Sequence, residues 1–172
     1  YLLDATPARH TQGGEGLSPP GLLPVFDAKS YSGRAQAHRV GSNILHIVNC
    51  AGMCMFMYYS LPSANVITDL LNATTGWNLT SEDLLKTGER IGTLRHAFNL
   101  REGLNPLKTE APERIFGRPP LQAGPLKGVT VDTDTLVNEY LKVMDWDSAT
   151  AKPSDQRLRE LGLENVAQAL RK

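Results

Sequence analysis

Apolar residues recur at helical spacing through most of the chain. From Ala35 to Val48, the positions Val40, Ile44, Leu45, Ile47 and Val48 predict a helix, with Gly41 as its weak point. Met53 to Leu61 is a short apolar segment ended by Pro62. Ser63 is placed to cap a helix carrying Val66, Ile67, Leu70 and Leu71, and Gly76 stops it. Thr80 or Ser81 caps a longer helix, whose first turn carries the acidic Glu82 and Asp83 favoured by the helix dipole. Leu84, Gly88, Ile91, Leu94 and Phe98 are expected on one face of it. Thr133 to Val143 shows Leu136, Val137, Tyr140 and Leu141, and after Pro153 come Leu158, Leu161, Val166 and Leu170. Alternation of the strand type never persists; Gly128 to Val131 is the best candidate and is short.

Between the helices lie irregular stretches. Residues 1–32 carry Gly13, Gly14, Pro19, Pro20, Gly21 and Pro24 and read as a loop-rich segment. A loop of that length in a compact domain covers a functional site or another domain. Residues 104–130 hold Pro106, Pro112, Pro119, Pro120 and Pro125, which forbid a helix through most of the stretch. The fold class is all-α: an irregular helical domain over 33–172 with long Gly/Pro-rich loops. The opening residue is Tyr and no signal pattern follows it, so the chain reads as a piece of a longer polypeptide.

Charge changes the picture mainly by exclusion. Basic and acidic residues balance at 18 each among 172 residues, so nothing steers the chain to nucleic acid or an anionic membrane. No apolar run reaches the ~18 residues of a membrane span. The sequons at Asn72 and Asn78 have no secretion signal behind them and read as chance matches.

Candidate chemistry concentrates in Asn49-Cys50-Ala51-Gly52-Met53-Cys54, which holds both cysteines of the chain. Gly52 allows a tight turn and close approach of the backbone to a bulky ligand. Taken alone, Cys54 reads as a small buried hydrophobe, and Cys50 as core packing or a neighbour that ligates nothing. Met53, Met55 and Met57 with Phe56, Tyr58 and Tyr59 read as core. His38 and His46, eight apart, are too far along a helix for adjacent ligands and read as structural or surface groups. Arg101 and Glu102 are expected to make interior polar contacts at a helix end. Asp145 and Asp147 lack the Gly and Glu of a calcium loop, since Thr150 and Gln156 stand there. Lys127 lacks the spacing of a phosphate-binding loop.

Four segments in order resemble the C-terminal region of the tungsten-dependent aldehyde:ferredoxin oxidoreductases. They are Ala5 to His10; Asn49 to Cys54; Arg90 to Gly103, above all Phe98-Asn99-Leu100-Arg101-Glu102-Gly103; and a fourth built from Pro112 to Phe116, Gly124 to Gly128, Asp132 to Tyr140 and Leu158 to Val166. The resemblance implies a larger multidomain enzyme that oxidises aldehydes to carboxylates. Its cofactors would be a tungsten (or molybdenum) bis-pyranopterin and a [4Fe-4S] cluster that hands electrons to ferredoxin. Three cluster cysteines would lie in the preceding domain, and Cys54 would be the fourth metal ligand. By position, Asn49, Met53 and Met55 would contact a pterin, with Thr6 and Gln12 facing the cofactor and Arg9 able to supply a charge that Gln12 lacks. His10 would be the catalytic proton donor at the metal. Asn49 departs from the usual Asp: it keeps an acceptor oxygen but loses the charge. The implied partners are the N-terminal domains of the same enzyme, ferredoxin and the aldehyde, in a cytoplasmic, anaerobic setting, and residues 1–32 would form part of the active-site wall. Two other readings stay open: a relative acting on another substrate, such as an aromatic-ring thioester reductase subunit, and a helical interaction domain without catalysis.

Overall fold

The computed structural model describes residues 2–6 and 30–170. Among them are the helices α1 (Arg34–Cys50), α2 (Met55–Tyr59), α3 (Asn65–Thr75), α4 (Ser81–Arg101), α5 (Thr133–Met144), α6 (Asp155–Glu160) and α7 (Glu164–Ala169). No strand occurs among the described residues, so the all-α class holds. Gly128 to Val131, the best strand candidate, forms no strand; the described residues hold only isolated bridges, Leu121 with Lys127 and Trp146 with Pro153. The proline-rich stretch from 104 to 130 contains two short 3₁₀ turns, Pro106–Lys108 and Glu113–Phe116, each with proline at or just before its start. Most of the loop expected over 1–32 lies outside the described residues.

Local chemistry explains the helix boundaries. Thr80 caps α4 and forms a reciprocal capping box with Asp83. Hydrogen bonds from Thr80 hold the Asp83 carboxyl below its ordinary pKa. Asp132 and Ser154 cap α5 and α6 in the same way, each accepting a backbone N–H from three residues on. α1, α4, α5 and α6 end on a paired motif in which one N–H reaches back three residues and the next reaches back five. The turn residue is Gly52, Gly103, Asp145 or Gly162, all at positive φ. Asp145 is the unusual member, and its carboxylate also receives the Ser154 hydroxyl. The Gly162 turn splits the apolar pattern after Pro153 into two short helices rather than one.

The α1–α4 pair is the axis of the molecule, and glycine makes it close. A methyl group on Gly88 would lie 2.0 Å from the backbone oxygen of Asn43, and one on Gly92 2.9 Å from the His46 ring. One apolar cluster fills the space among α1 to α4, around Ile44, Leu45, Val48, Tyr58, Ile67 and Leu84. A second joins the start of α1 to α5 and Trp146, and a third joins the end of α4 to α6 and α7.

Between these clusters the buried face of α4 is polar. Glu89 is 3% exposed; it accepts from Arg39 Nη2 at 2.7 Å and Arg39 Nε at 2.9 Å, and it pairs with Arg157 of α6. This network ties α1, α4 and α6 together. It also corrects the expected apolar face: Leu84 and Gly88 are buried, but Leu94 and Phe98 are 48% and 54% exposed. The buried stripe runs instead through Gly88, Glu89, Thr93, His96 and Ala97. The interior contacts expected of Arg101 and Glu102 are also corrected, because both are exposed and pair with each other at 2.8 Å. Asn72 commits its amide to both backbone groups of Leu79, where it clamps the α3–α4 connection.

Candidate functional site

The end of α1 builds the first part of the site. Gly52 N–H donates to Asn49 O at 3.2 Å and Met53 N–H to Val48 O at 2.9 Å. This closing turn requires the positive φ of 70° found at Gly52. Met53 then packs on the cluster that contains Val48, the apolar contact usual for such a turn. The chain leaves the turn extended at Cys54 (φ −72°, ψ 130°) and enters α2, whose first residue, Met55, packs on the same cluster. Asn49 and Cys54 are therefore exposed on one edge that Met53 and Met55 pack onto the cluster.

Both thiols on this edge are free and exposed. That overturns the reading of Cys54 as a buried hydrophobe and the core-packing reading of Cys50. Asn49 is exposed too; its Nδ2 donates to Leu45 O at 2.8 Å, so the side-chain oxygen is its outward acceptor. Phe56 is 73% exposed, not core, and meets the half-exposed Tyr59 edge-on at 6.5 Å; Tyr58 is the buried aromatic of the group. Burial pushes the Tyr58 hydroxyl's pKa up.

The second part is a strap, residues 2–6, lying across α1, α4 and α5. Asp4 Oδ1 accepts the Thr6 N–H at 2.8 Å and the Thr6 hydroxyl at 3.0 Å, a local turn that orients Thr6. The Ala5 carbonyl accepts from Asn99 Nδ2 at 2.6 Å. His10, Gln12 and Arg9 lie outside the described residues.

Beneath the strap is a small cavity of about 30 Å³, lined by Asp4, His46, Glu89, His96 and Trp146 among others. Arg95 donates to His46 Nδ1 across 3.3 Å, which assigns the ring proton to Nε2. Burial, followed by the Arg95 charge, lowers the His46 pKa to about 4, so the ring is neutral at pH 7. His96 donates from Nε2 to Ala151 O at 2.8 Å and stacks on Trp146 with ring centroids 3.7 Å apart and ring planes nearly parallel. Burial lowers its pKa as well.

Sequence reasoning missed this cavity. Asp4, Glu89, His96 and Trp146 carry no motif, and their convergence depends on the helix crossing. The available signal was Gly88 and Gly92, four apart on one face of α4. Among the described residues no group of three or more His, Cys, Asp or Glu side chains is arranged to hold a metal ion. The donors on the exposed edge are the two thiols of Cys50 and Cys54 and the Asn49 side-chain oxygen; two thiols are too few for a four-thiolate cluster, so this set fits a cluster whose remaining ligands come from elsewhere. No helix among the described residues is long and apolar enough to cross a membrane.

Comparison with known proteins bears on this arrangement. Residues 1–163 match the family described as aldehyde ferredoxin oxidoreductase, domains 2 and 3. A tungsten-containing aldehyde ferredoxin oxidoreductase of Pyrococcus horikoshii is 38% identical over 118 residues, 69% of this chain and 19% of that protein. The same-named proteins of Pyrococcus abyssi and Pyrococcus furiosus are 39% and 38% identical, again over about a fifth of their length. The chain thus spans a minor part of the curated relatives it matches. A match from residue 1 to residue 163 takes in both the strap and the Asn49 to Met55 edge, and on that extent the chain belongs to the aldehyde ferredoxin oxidoreductase family.

Proposed function

We propose that this chain is the C-terminal part of a tungsten (or molybdenum) bis-pyranopterin enzyme that oxidises aldehydes to carboxylates and delivers electrons to ferredoxin. When bound, the metal–pterin group would supply the redox chemistry and a [4Fe-4S] cluster the route for single electrons. The observation that carries the reading is the exposed Cys54 thiol, two residues after the Gly52 turn, on an edge that Met53 and Met55 anchor to the core.

Each residue has a role in this reading. Cys54 loses its proton on ligation and gives the cluster one thiolate; its position after a fixed turn limits the motion of the sulfur. Asn49 offers its side-chain oxygen to a pterin N–H while its Nδ2 stays on Leu45 O. Phe56 and Tyr59 form an apolar rim that, once covered, keeps water from the cluster side. Thr6 offers a hydroxyl from the strap, and Gln12 a neutral amide. His10 holds and releases a proton where the substrate oxygen lies. Residues 1–32 contribute to the active-site wall, 33–172 form the helical domain, and the setting is cytoplasmic. The family carries the preceding domains, which supply the remaining thiolates; with two cysteines this chain cannot ligate a four-thiolate cluster alone.

The test is metal analysis of the full-length parent purified without oxygen, with Cys54→Ser beside it. The expected content is about four irons and about one tungsten or molybdenum per polypeptide. Cys54→Ser should lose the cluster or convert its paramagnetic signal. An unchanged cluster signal in that variant overturns the ligand assignment, and a parent without iron or heavy metal overturns the reading.

A further inference from the structure

We propose that Asn99 is a positioning residue for this site: through the Ala5 carbonyl its side-chain amide fixes the 2–6 strap, and with it Thr6, against the α1–α4 pair. The inference rests on the reading of Thr6 as a residue that faces the cofactor.

Asn99 is itself held firmly. Its own carbonyl accepts Leu104 N–H at 2.8 Å, the five-residue bond of the turn that closes α4, and Gly103 supplies the required φ of 86°. From that post Nδ2 reaches Ala5 O at 2.6 Å, across 94 residues of sequence. The strap has no helix or sheet of its own to partner its backbone, so specific contacts must orient it. Leu3 anchors one side by packing on the second apolar cluster. Asp4 and Thr6 close a local turn on the other.

Packing alone does not fix the centre of the strap. Asp4 and Ala5 roof the 30 Å³ cavity over His46, His96 and Trp146 rather than resting on close-packed side chains. Trp146 Nε1 is buried there without a hydrogen-bond partner, so the floor of the cavity is not a closed hydrogen-bonded surface. A space of that size accommodates a water molecule and leaves the backbone above it room to shift. The Asn99 bond removes that freedom. A neutral donor is needed: an Asp of the same shape would direct a carboxylate at the Ala5 carbonyl.

The experiment uses the full-length enzyme and measures amide hydrogen exchange of the peptide holding residues 2–6, together with metal content and the paramagnetic spectrum of the tungsten or molybdenum. Asn99→Asp should speed exchange in the strap about tenfold, the scale of one lost hydrogen bond, while α1 and the middle of α4 exchange as before. Metal content should be retained and the spectrum shifted. Asn99→Gln, which keeps the amide donor, should move both readouts back toward the parent. Asn99→Ser, smaller and uncharged, should act as Asn99→Asp does and replaces it if the charge prevents folding. Strap exchange and spectrum equal to the parent's in Asn99→Asp or Asn99→Ser overturn the proposal. A parent that binds no tungsten or molybdenum overturns the cofactor reading instead, and strap exchange then still decides whether Asn99 fixes Ala5.

Discussion

Gly88→Ala is the substitution the helix packing makes most costly. A Cβ at Gly88 would stand 2.0 Å from Asn43 O, 2.6 Å from its carbonyl carbon and 2.8 Å from its Cα, all backbone atoms of α1. Ordinary contact begins near 3.4 Å, so α1 and α4 would have to part by more than an ångström. No rotamer change relieves a backbone clash. Parting the helices loosens Ile44, Leu45 and Leu84 in the first cluster and stretches the Glu89–Arg39 pair beside it. Alanine's better helix propensity returns only about 1 kcal/mol. Overpacking of this kind costs about 3 kcal/mol or more, leaving a net loss of about 2 kcal/mol or more. Gly92→Ala is the internal control, because its Cβ meets the end of the His46 side chain at 2.9 Å, and a side chain can turn aside. Urea unfolding of the 172-residue chain, followed by circular dichroism, measures both. Gly88→Ala should shift the midpoint well below Gly92→Ala. A Gly88→Ala protein within 0.5 kcal/mol of wild type, on the order of surface substitutions, would refute the close-packing argument.

Acidification tests the buried histidines. The unfolded chain takes a proton on His46 near pH 6.5, but the folded protein resists until about pH 4, so stability is full above the first value and falls between the two. At 1.36 kcal/mol per pH unit the His46 contribution is roughly 3 kcal/mol, and His96 adds loss in the same direction. Unfolding midpoints that stay flat from pH 7 to pH 5 would contradict the burial. The lowered carboxylates Asp83, Asp132, Asp147 and Glu160 lose their contributions only near and below their ordinary 3.8 to 4.5, so the range from pH 7 to pH 5 isolates the histidines from them. Glu89→Gln should cost about 3 kcal/mol, because it leaves Arg39 and Arg157 facing each other across a buried site without their shared carboxylate. A thermal midpoint equal to wild type in that variant would mean that Glu89 does not bind the three helices together.

The helices were legible because caps and stops are local. Thr80 with Asp83, Gly76 and Pro62 act within a few residues, and their residue types announce what they do. The Gly52 turn was legible for the same reason, since glycine takes a positive φ without strain; the exposure of Cys50, Cys54 and Phe56 around it was not. What the periodicity of α4 could not show was which face goes inside. Leu94 and Phe98 are more apolar than Glu89, Thr93 and His96, yet the polar set is buried. Glycine at 88 and 92 draws α1 onto that face; Arg39 and Arg157 pair with Glu89 and the Ala151 carbonyl accepts from His96, while the Thr93 hydroxyl is buried without a hydrogen-bond partner. Those partners lie tens of residues away, and no window along the sequence contains them. Arg101 and Glu102 were misplaced for a related reason. Adjacent residues of opposite charge at a helix end read as a buried fastening, whereas here they satisfy each other in water.

The two parts of the candidate site hang from one helix pair, and this decides how the site responds to change. The Cys54 edge is the end of α1, set by Gly52 and pinned through Met53 and Met55 to the first apolar cluster. The strap lies against the middle of α1 at His46 and is held from the end of α4 by Asn99. In the proposed enzyme, how α1 sits on α4 would therefore bear on the separation of Cys54 from Thr6. Glycine rather than side chains sets that seating, so it is a backbone contact with little compliance. Side chains repack over a few tenths of an ångström, but two helix backbones in contact move together or not at all. In the proposed enzyme a ligand to the cluster and a group near the pterin must hold their separation while electrons pass between the two centres. A glycine-set contact supplies that constancy, and the buried Glu89 with its two arginines locks the same pair against rotation.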